Sequence, residues 1–468
     1  MEKPWLKFYD PPVSPSIQYP DMILHQILDD AANQFPQRVG VYFFGGKIKY
    51  AELRAQADQF ANALKGIGFR KGDRVGIILP NMPQAIISAF GIFKAGGTAV
   101  FFDPREEEGN LERQINDSGV EIAVVFGLVL PRIDPIFSRT KLQQFIIAKV
   151  GDYLPFPRNF FFDLAAKGHG IHVKIAKKPN IHLFREFLLK GQDGSLAGDS
   201  YTGRPDEEAV ILYTRGTSGP PKGVLLTHRN LIANLLQTSA WLGRGEKGRE
   251  TFLSILPFHQ AFGMTLAMNL PIYLGATAIH QPQFEVTQVL SLIKKNRPTL
   301  FPASPSMIES LSNYPFDLNK FKTTGVKIFW STGAPLEGEV MQNLERRIGR
   351  KVCEAYGLTE ASPLTHVNPI EGTRKIGSIG IPLPDTEAKI VDPESGEKEI
   401  PAGGTGELVV KGPQVMKGYW NRPEETGRVL RQGWLHTGDL AWMDEDGFFY
   451  LIGRIDKKGE PGQPPPGT

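Results

Sequence analysis

The chain predicts an α/β fold: two helix-flanked sheets in αβαβα layers, followed by a small antiparallel β-barrel. Three observations carry this. Residues 74–126 alternate apolar strand runs with helical spacing. The runs 299–301 and 326–331, followed by a helix over 336–348, repeat that alternation. Beyond about 376 the pattern turns to short strands divided by Gly and Pro.

Each element has its own signal. Residues 74–79 form a buried-strand run that Pro80 ends, and apolar residues then recur at helical spacing over 84–94 until Gly96-Gly97 stops the helix. Strand 98–102, helix 111–117 and strand 121–126 complete a βαβαβ order, which predicts a parallel sheet covered by helices. Residues 153–190 differ. Tyr153-Leu-Pro-Phe-Pro leads to Phe160, Phe161 and Phe162, then to Lys174, Lys177 and Lys178. This segment reads either as a surface touching an acyl chain or an anionic membrane, or as a helical subdomain covering a sheet edge. Strands at 387–391, 406–411 and 448–452 supply the barrel. The expected divisions are 1–375 for the α/β region, 376–456 for the barrel, and 457–468 for a Pro- and Gly-rich disordered tail.

Composition narrows the function classes. A formal charge of +3, with basic residues scattered among acids, argues against a nucleic-acid partner. The single cysteine, Cys353, excludes an internal disulfide framework and suggests a reducing compartment; its bland reading is a small buried hydrophobe. No CxxC or HExxH spacing offers zinc. The first residues lack an apolar signal region, and no apolar run reaches membrane-spanning length. A cytoplasmic location is expected, with peripheral membrane contact and a homodimer left open.

The segment 213–224, Tyr-Thr-Arg-Gly-Thr-Ser-Gly-Pro-Pro-Lys-Gly-Val, is the most informative. Its glycines let backbone N–H groups converge on an anion, and Lys222 adds a point charge, so the loop can wrap a polyphosphate. It is not a Walker loop, because Gly223 and a strand-like Val-Leu-Leu follow Lys222 where a helix would start. A hairpin tip is expected. Alone, such a tip reads equally well as a surface turn.

Four downstream segments strengthen it. Ser331-Thr-Gly-Ala-Pro-Leu336 has small residues against which a flat base could lie. Glu354-Ala-Tyr-Gly-Leu-Thr-Glu360 offers an aromatic face, a hydroxyl and a carboxylate. Trp434-Leu-His-Thr-Gly-Asp439 offers a carboxylate able to hold two ribose hydroxyls, and Gly453-Arg454-Ile455-Asp456 a guanidinium.

Together these segments resemble the acyl-adenylate-forming superfamily, over about residues 20–456. Within it the chain resembles bacterial long-chain fatty acid–CoA ligases through 256–265, 356–363, 377–385 and 412–420. The resemblance implies a two-step reaction with ATP, Mg²⁺, a fatty acid and coenzyme A. Matching positions imply that Thr214, Gly216, Thr217, Ser218, Gly219 and Lys222 cradle the β- and γ-phosphates. Gly333, Ala334, Pro335, Glu354, Ala355 and Tyr356 would line an adenine slot. Thr359 would bond the α-phosphate, Glu360 would ligate Mg²⁺ with Thr214 as a further ligand, and Asp439 and Arg454 would hold the ribose. Acyl specificity is read from an absence: residues 251–275 contain no Asp or Glu to meet a substrate ammonium. Phe258, Phe262, Met264, Leu266, Met268 and Leu270 form an apolar run, suited to an acyl tunnel or to plain core packing.

The chain also departs from the pattern. Arg215 stands where the family usually has Ser, Gly or Thr, Ser218 where it usually has Thr, and Gln260 takes the place of the usual histidine. His259 beside it is the candidate substitute for positioning the carboxylate. The family continues past the hinge at Asp456 with a lysine-bearing lid domain, so this chain is expected to be truncated, to adenylate slowly or not at all alone, and to lack most of the coenzyme A site. A second reading is therefore a non-catalytic nucleotide- or acyl-binding protein or gene fragment. A third is a ligase for aryl or carrier-bound acids.

Overall fold

The structure is a computed structural model that describes residues 3–158, 175, 178–192, 201–214, 221–243 and 247–455. Arg215, Gly216, Thr217, Ser218 and Gly219 lie outside the described residues, as do Phe160, Phe161, Phe162, Lys174, Lys177, Asp456 and the tail at 457–468.

Two large sheets organise the described residues. In one, six neighbouring strands run parallel, in the order Val352–Gly357, Ile328–Thr332, Leu300–Ala303, Thr251–Ser254, Thr277–His280 and Val39–Phe43. Antiparallel Gly46–Lys49 closes one edge, and Leu364–Val367 with Ile381–Pro382 the other. In the second sheet, Glu208–Tyr213, Thr98–Phe101, Arg74–Ile78, Ile122–Phe126, Gln144–Ala148 and Ile181–Leu183 are parallel. Gly223–Thr227 turns back antiparallel on Glu208–Tyr213, and Gly418–Tyr419 pairs with it in turn.

The layering follows from strand periodicity, since successive side chains face opposite sides of a sheet. Val75 and Ile77 enter the central core while Ile78 enters an outer one. Trp330 faces the centre while Phe329 packs under the helices Val286–Asn296, Pro305–Ser312 and Gly338–Ile348. Between the sheets lies Pro83–Lys94, a helix buried on every side, in keeping with a largely apolar sequence in which only Gln84, Ser88 and Lys94 are polar. The αβαβα arrangement is thus three apolar cores separated by two sheets.

The expected β-barrel is corrected. Glu387–Val391, Thr405–Lys411, Trp434–Met443, Leu430–Arg431 and Phe449–Arg454 form an open five-stranded antiparallel sheet. Glu387–Val391 lies at one edge, and Leu430–Arg431 and Phe449–Arg454 share the far side of the long strand Trp434–Met443. Closure would need those edges to pair.

Among the described residues, no helix is long and apolar enough to cross a membrane.

Candidate active site

The candidate segments share one topological position. Thr214 follows strand Glu208–Tyr213, Gly333 follows Ile328–Thr332, and Thr359 and Glu360 follow Val352–Gly357. His259 follows Thr251–Ser254, and Asp103 follows Thr98–Phe101. All lie beyond the carboxyl ends of parallel strands, where open α/β sheets bind ligands.

The phosphate-loop candidate is a hairpin tip, as its sequence suggests. Tyr213 pairs with Gly223, and Thr214 N donates to Lys222 O at 3.0 Å. The Thr214 hydroxyl closes the same base, accepting from Lys222 N at 3.4 Å. Lys222 Nζ stands 4.7 Å from the Tyr419 ring centroid. Tyr419 reaches it because Gly418–Tyr419 pairs with Leu225 and Val224.

The same tyrosine orients Glu360. Its hydroxyl donates to Glu360 Oε1 at 2.8 Å, and Met416 N donates to the Glu360 carbonyl at 2.8 Å. Burial and the Glu360 charge both push the Tyr419 phenol up, so it remains a donor at neutral pH. Thr359 and Glu360 open a short 3₁₀ turn, Thr359–Ala361, that packs on strand Gly223–Thr227. Among the described residues no group of three or more His, Cys, Asp or Glu could hold a metal. A Mg²⁺ delivered with phosphate needs only one or two protein carboxylates, and Glu360 fits as one.

Asp439 completes this side. It is buried and accepts from the Tyr356 hydroxyl and, on its own backbone N–H, bonds Thr437 Oγ1 at 3.0 Å. Arg454 lies opposite it in register, with Nη1 3.3 Å from Asp439 Oδ1. Burial raises the Asp439 carboxyl, Arg454 and Tyr356 pull it down, and the Glu360 charge raises it again. That last coupling places Glu360 and Asp439 in one electrostatic neighbourhood. Tyr419 thus joins Lys222 to Glu360, while Tyr356 separately holds Asp439, which feels the Glu360 charge.

The base-slot candidates are adjacent by pairing. Thr332 lies beside Ala355 and Ser331 beside Glu354, so Gly333, Ala334 and Pro335 leave the sheet next to Tyr356. Burial pushes the Glu354 carboxyl up to about 7, against the backbone N–H groups of Gly377 and Leu336 that face it.

On the acyl side, Phe258, Met264, Leu266, Met268 and Leu270 are buried in the central core, and Phe262 packs against it partly exposed. Gly263–Asn269 is a π-helix, a form concentrated at functional sites. Its start is crowded: a Cβ on Gly263 would lie 1.9 Å from Pro257 O. Thr265 Oγ1 donates to Ser362 O at 2.8 Å, tying this segment to the turn that carries Glu360. His259 is engaged elsewhere, with Nε2 3.3 Å from Asp103 Oδ2. Burial opposes ionisation of Asp103, but His259 and the Arg105 backbone N–H hold it below the usual carboxylate range.

Sequence reasoning missed Tyr419, Asp103 and Thr265 as site residues. Tyr419 lay within the quoted 412–420 stretch, yet no spacing ties it to Lys222. Only the pairing with Val224 does that.

A model of the AMP-binding enzyme family matches residues 28–420. A long-chain-fatty-acid–CoA ligase of Bacillus subtilis (strain 168) is 41% identical over 453 residues, spanning 97% of this chain and 80% of the relative. Among solved structures, an ATP-bound MatB from Rhodopseudomonas palustris has TM-score 0.77 at 28% identity, covering 92% of this chain and 79% of that one. A long-chain-fatty-acid-CoA ligase, FadD1, from Archaeoglobus fulgidus has TM-score 0.79 at 25% identity, covering 94% and 86%. With that match over most of its length, the chain belongs to the AMP-binding enzyme family.

Proposed function

We propose that the protein is an AMP-forming long-chain fatty acid–CoA ligase. A fatty carboxylate attacks the α-phosphorus of ATP, expelling pyrophosphate and leaving acyl-AMP. The coenzyme A thiolate then attacks the acyl carbon, releasing AMP and forming the thioester. The observation that carries this reading is the Lys222–Tyr419–Glu360 group, with Glu360 just beyond the end of strand Val352–Gly357 and its charge felt by Asp439 on strand Trp434–Met443.

The chemistry asks for this arrangement. The first step joins two anions and builds charge on the departing pyrophosphate, so it depends on positioned cations and donors more than on a protein nucleophile. Lys222 and the loop it ends would meet the β- and γ-phosphates. Glu360 would hold the Mg²⁺ that arrives with ATP, Thr359 the α-phosphate, and Asp439 with Arg454 the ribose. Gly333, Ala334, Pro335 and Tyr356 would flank the base. The uncharged stretch 251–275 supports a hydrocarbon tail over an amino acid. His259, held 3.3 Å from Asp103, would act as a positioning group near the carboxylate. A cytoplasmic location belongs to the same proposal and rests on the single, buried Cys353.

The test is ATP–pyrophosphate exchange with saturated fatty acids of graded length and with benzoate. Exchange stimulated most by acids of twelve carbons or more supports the proposal. Stimulation by benzoate alone, or by no acid while MgATP binds, contradicts it.

A further inference from the structure

Lys222 is already paired. Its Nζ lies 3.0 Å from Glu425 Oε2, with the two side chains 34% and 31% exposed. Glu425 belongs to the short helix Pro423–Val429, immediately after the segment that pairs with the loop's returning strand. Its other oxygen is 3.2 Å from Arg422 Nη1, and Arg422 Nη2 is 3.3 Å from Asp117. Asp117 in turn accepts from the Tyr213 hydroxyl at 2.8 Å, and its carbonyl accepts from Trp420 Nε1 at 3.1 Å.

Tyr213 and Gly223 are the paired residues that bound the loop, and Trp420 N donates to Gly223 O at 2.7 Å. One network of two acids and two bases thus grips both feet of the loop and ends on Lys222. Slight burial works against ionisation of Glu425, but Lys222 and Arg422 hold its carboxyl below the ordinary range.

We propose that Glu425 is the resident counter-ion of Lys222, a positioning residue that holds the lysine over Tyr419 until the β- and γ-phosphates displace it, and that recaptures it when pyrophosphate leaves. This rests on the assignment of Lys222 to those phosphates. A ligand carrying a pyrophosphate group must compete with Glu425, whereas AMP does not. Glu425 thereby biases the site toward releasing pyrophosphate while AMP or acyl-AMP stays.

The experiment is isothermal titration of the full chain with MgATP, Mg-pyrophosphate and AMP. It compares wild type, Glu425→Gln, Lys222→Met and the double variant, with melting temperatures confirming the fold. Glu425→Ala serves as a second variant should Glu425→Gln melt early. The expected result is that Glu425→Gln tightens MgATP and pyrophosphate about two- to fivefold, the scale of a partly exposed ion pair. AMP should be unchanged, and the gain should vanish in the Lys222→Met background. Weaker or unchanged MgATP binding in Glu425→Gln overturns the proposal. So does equal tightening of AMP, or an equal gain without Lys222, which would be simple charge repulsion. If Lys222→Met leaves MgATP affinity intact, the assignment of Lys222 itself is wrong, a separate outcome from failure of the Glu425 role.

Discussion

Tyr356 donates its hydroxyl to Asp439, joining the nine-stranded sheet to the five-stranded one across the candidate ribose site. Asp439 is buried, so it needs help to stay ionised. Tyr356 supplies a donor, and Arg454 a charge at 3.3 Å.

Arg454→Ala should therefore change a pH profile as well as an affinity. Without the guanidinium, the already raised Asp439 carboxyl rises further, and the carboxylate that would accept ribose hydroxyls is lost sooner as pH falls. MgATP binding should weaken about tenfold at pH 8, on the scale of a hydrogen-bonded charge pair. It should weaken by a further threefold or more at pH 6 relative to wild type. Titration at the two pH values checks this; parallel profiles would show that Arg454 does not tune Asp439.

Tyr419→Phe keeps the ring under Lys222 but removes the donor to Glu360. A hydrogen bond to a charged group contributes about 1.5–3 kcal/mol. The half-saturating Mg²⁺ concentration for ATP–pyrophosphate exchange should rise about tenfold or more, with the melting temperature little changed. An unaltered Mg²⁺ dependence would separate Tyr419 from Glu360 function.

Glu354 offers a stability test. Its folded pKa of about 7 lies above the ordinary carboxyl value of 4.5, so the folded state binds the proton more tightly than the unfolded chain. The contribution is fully present below about pH 4.5 and is lost as pH rises through about 7. Glu354→Gln should remove that slope and stabilise the protein at pH 8 by about 1–3 kcal/mol. Urea unfolding at pH 5, 6.5 and 8 measures it, and a wild-type slope retained in the variant would clear Glu354 of the effect.

Thr265→Val cuts the bond from the π-helix to Ser362 while preserving shape. The loss leaves a buried carbonyl without that donor, at a cost of about 1–3 kcal/mol. Fatty-acid-dependent exchange should fall more than MgATP affinity, because the bond links the acyl-side segment to the Glu360 turn. Equal losses in both would make Thr265 merely structural.

The parallel sheets were legible because each strand is an apolar run with a helix behind it, as at 74–78 and 122–126. The hairpin at Lys222 was legible too, since Val224, Leu225 and Leu226 continue as a strand where a Walker loop would open a helix. That the small sheet stays open was not, because whether its edges Glu387–Val391 and Phe449–Arg454 pair leaves no periodic trace. Tyr419 and Glu425 were hidden for a related reason. Gly418–Tyr419 is a strand of two residues, too short for alternation, and its partner lies almost two hundred positions earlier. The π-helix reads only as an apolar run, whose period of about 4.4 cannot be told from core packing over seven residues.

The most direct measurement is titration of the wild-type chain with a non-hydrolysable sixteen-carbon acyl-AMP mimic beside its benzoyl counterpart. Such a ligand fills the ribose, base and acyl positions together. Binding of the long-chain mimic at least tenfold tighter than the benzoyl one, weakened at least tenfold by Asp439→Asn, is the expected result. No binding of either, or tighter binding of the benzoyl mimic, would contradict a long-chain acyl-adenylate site.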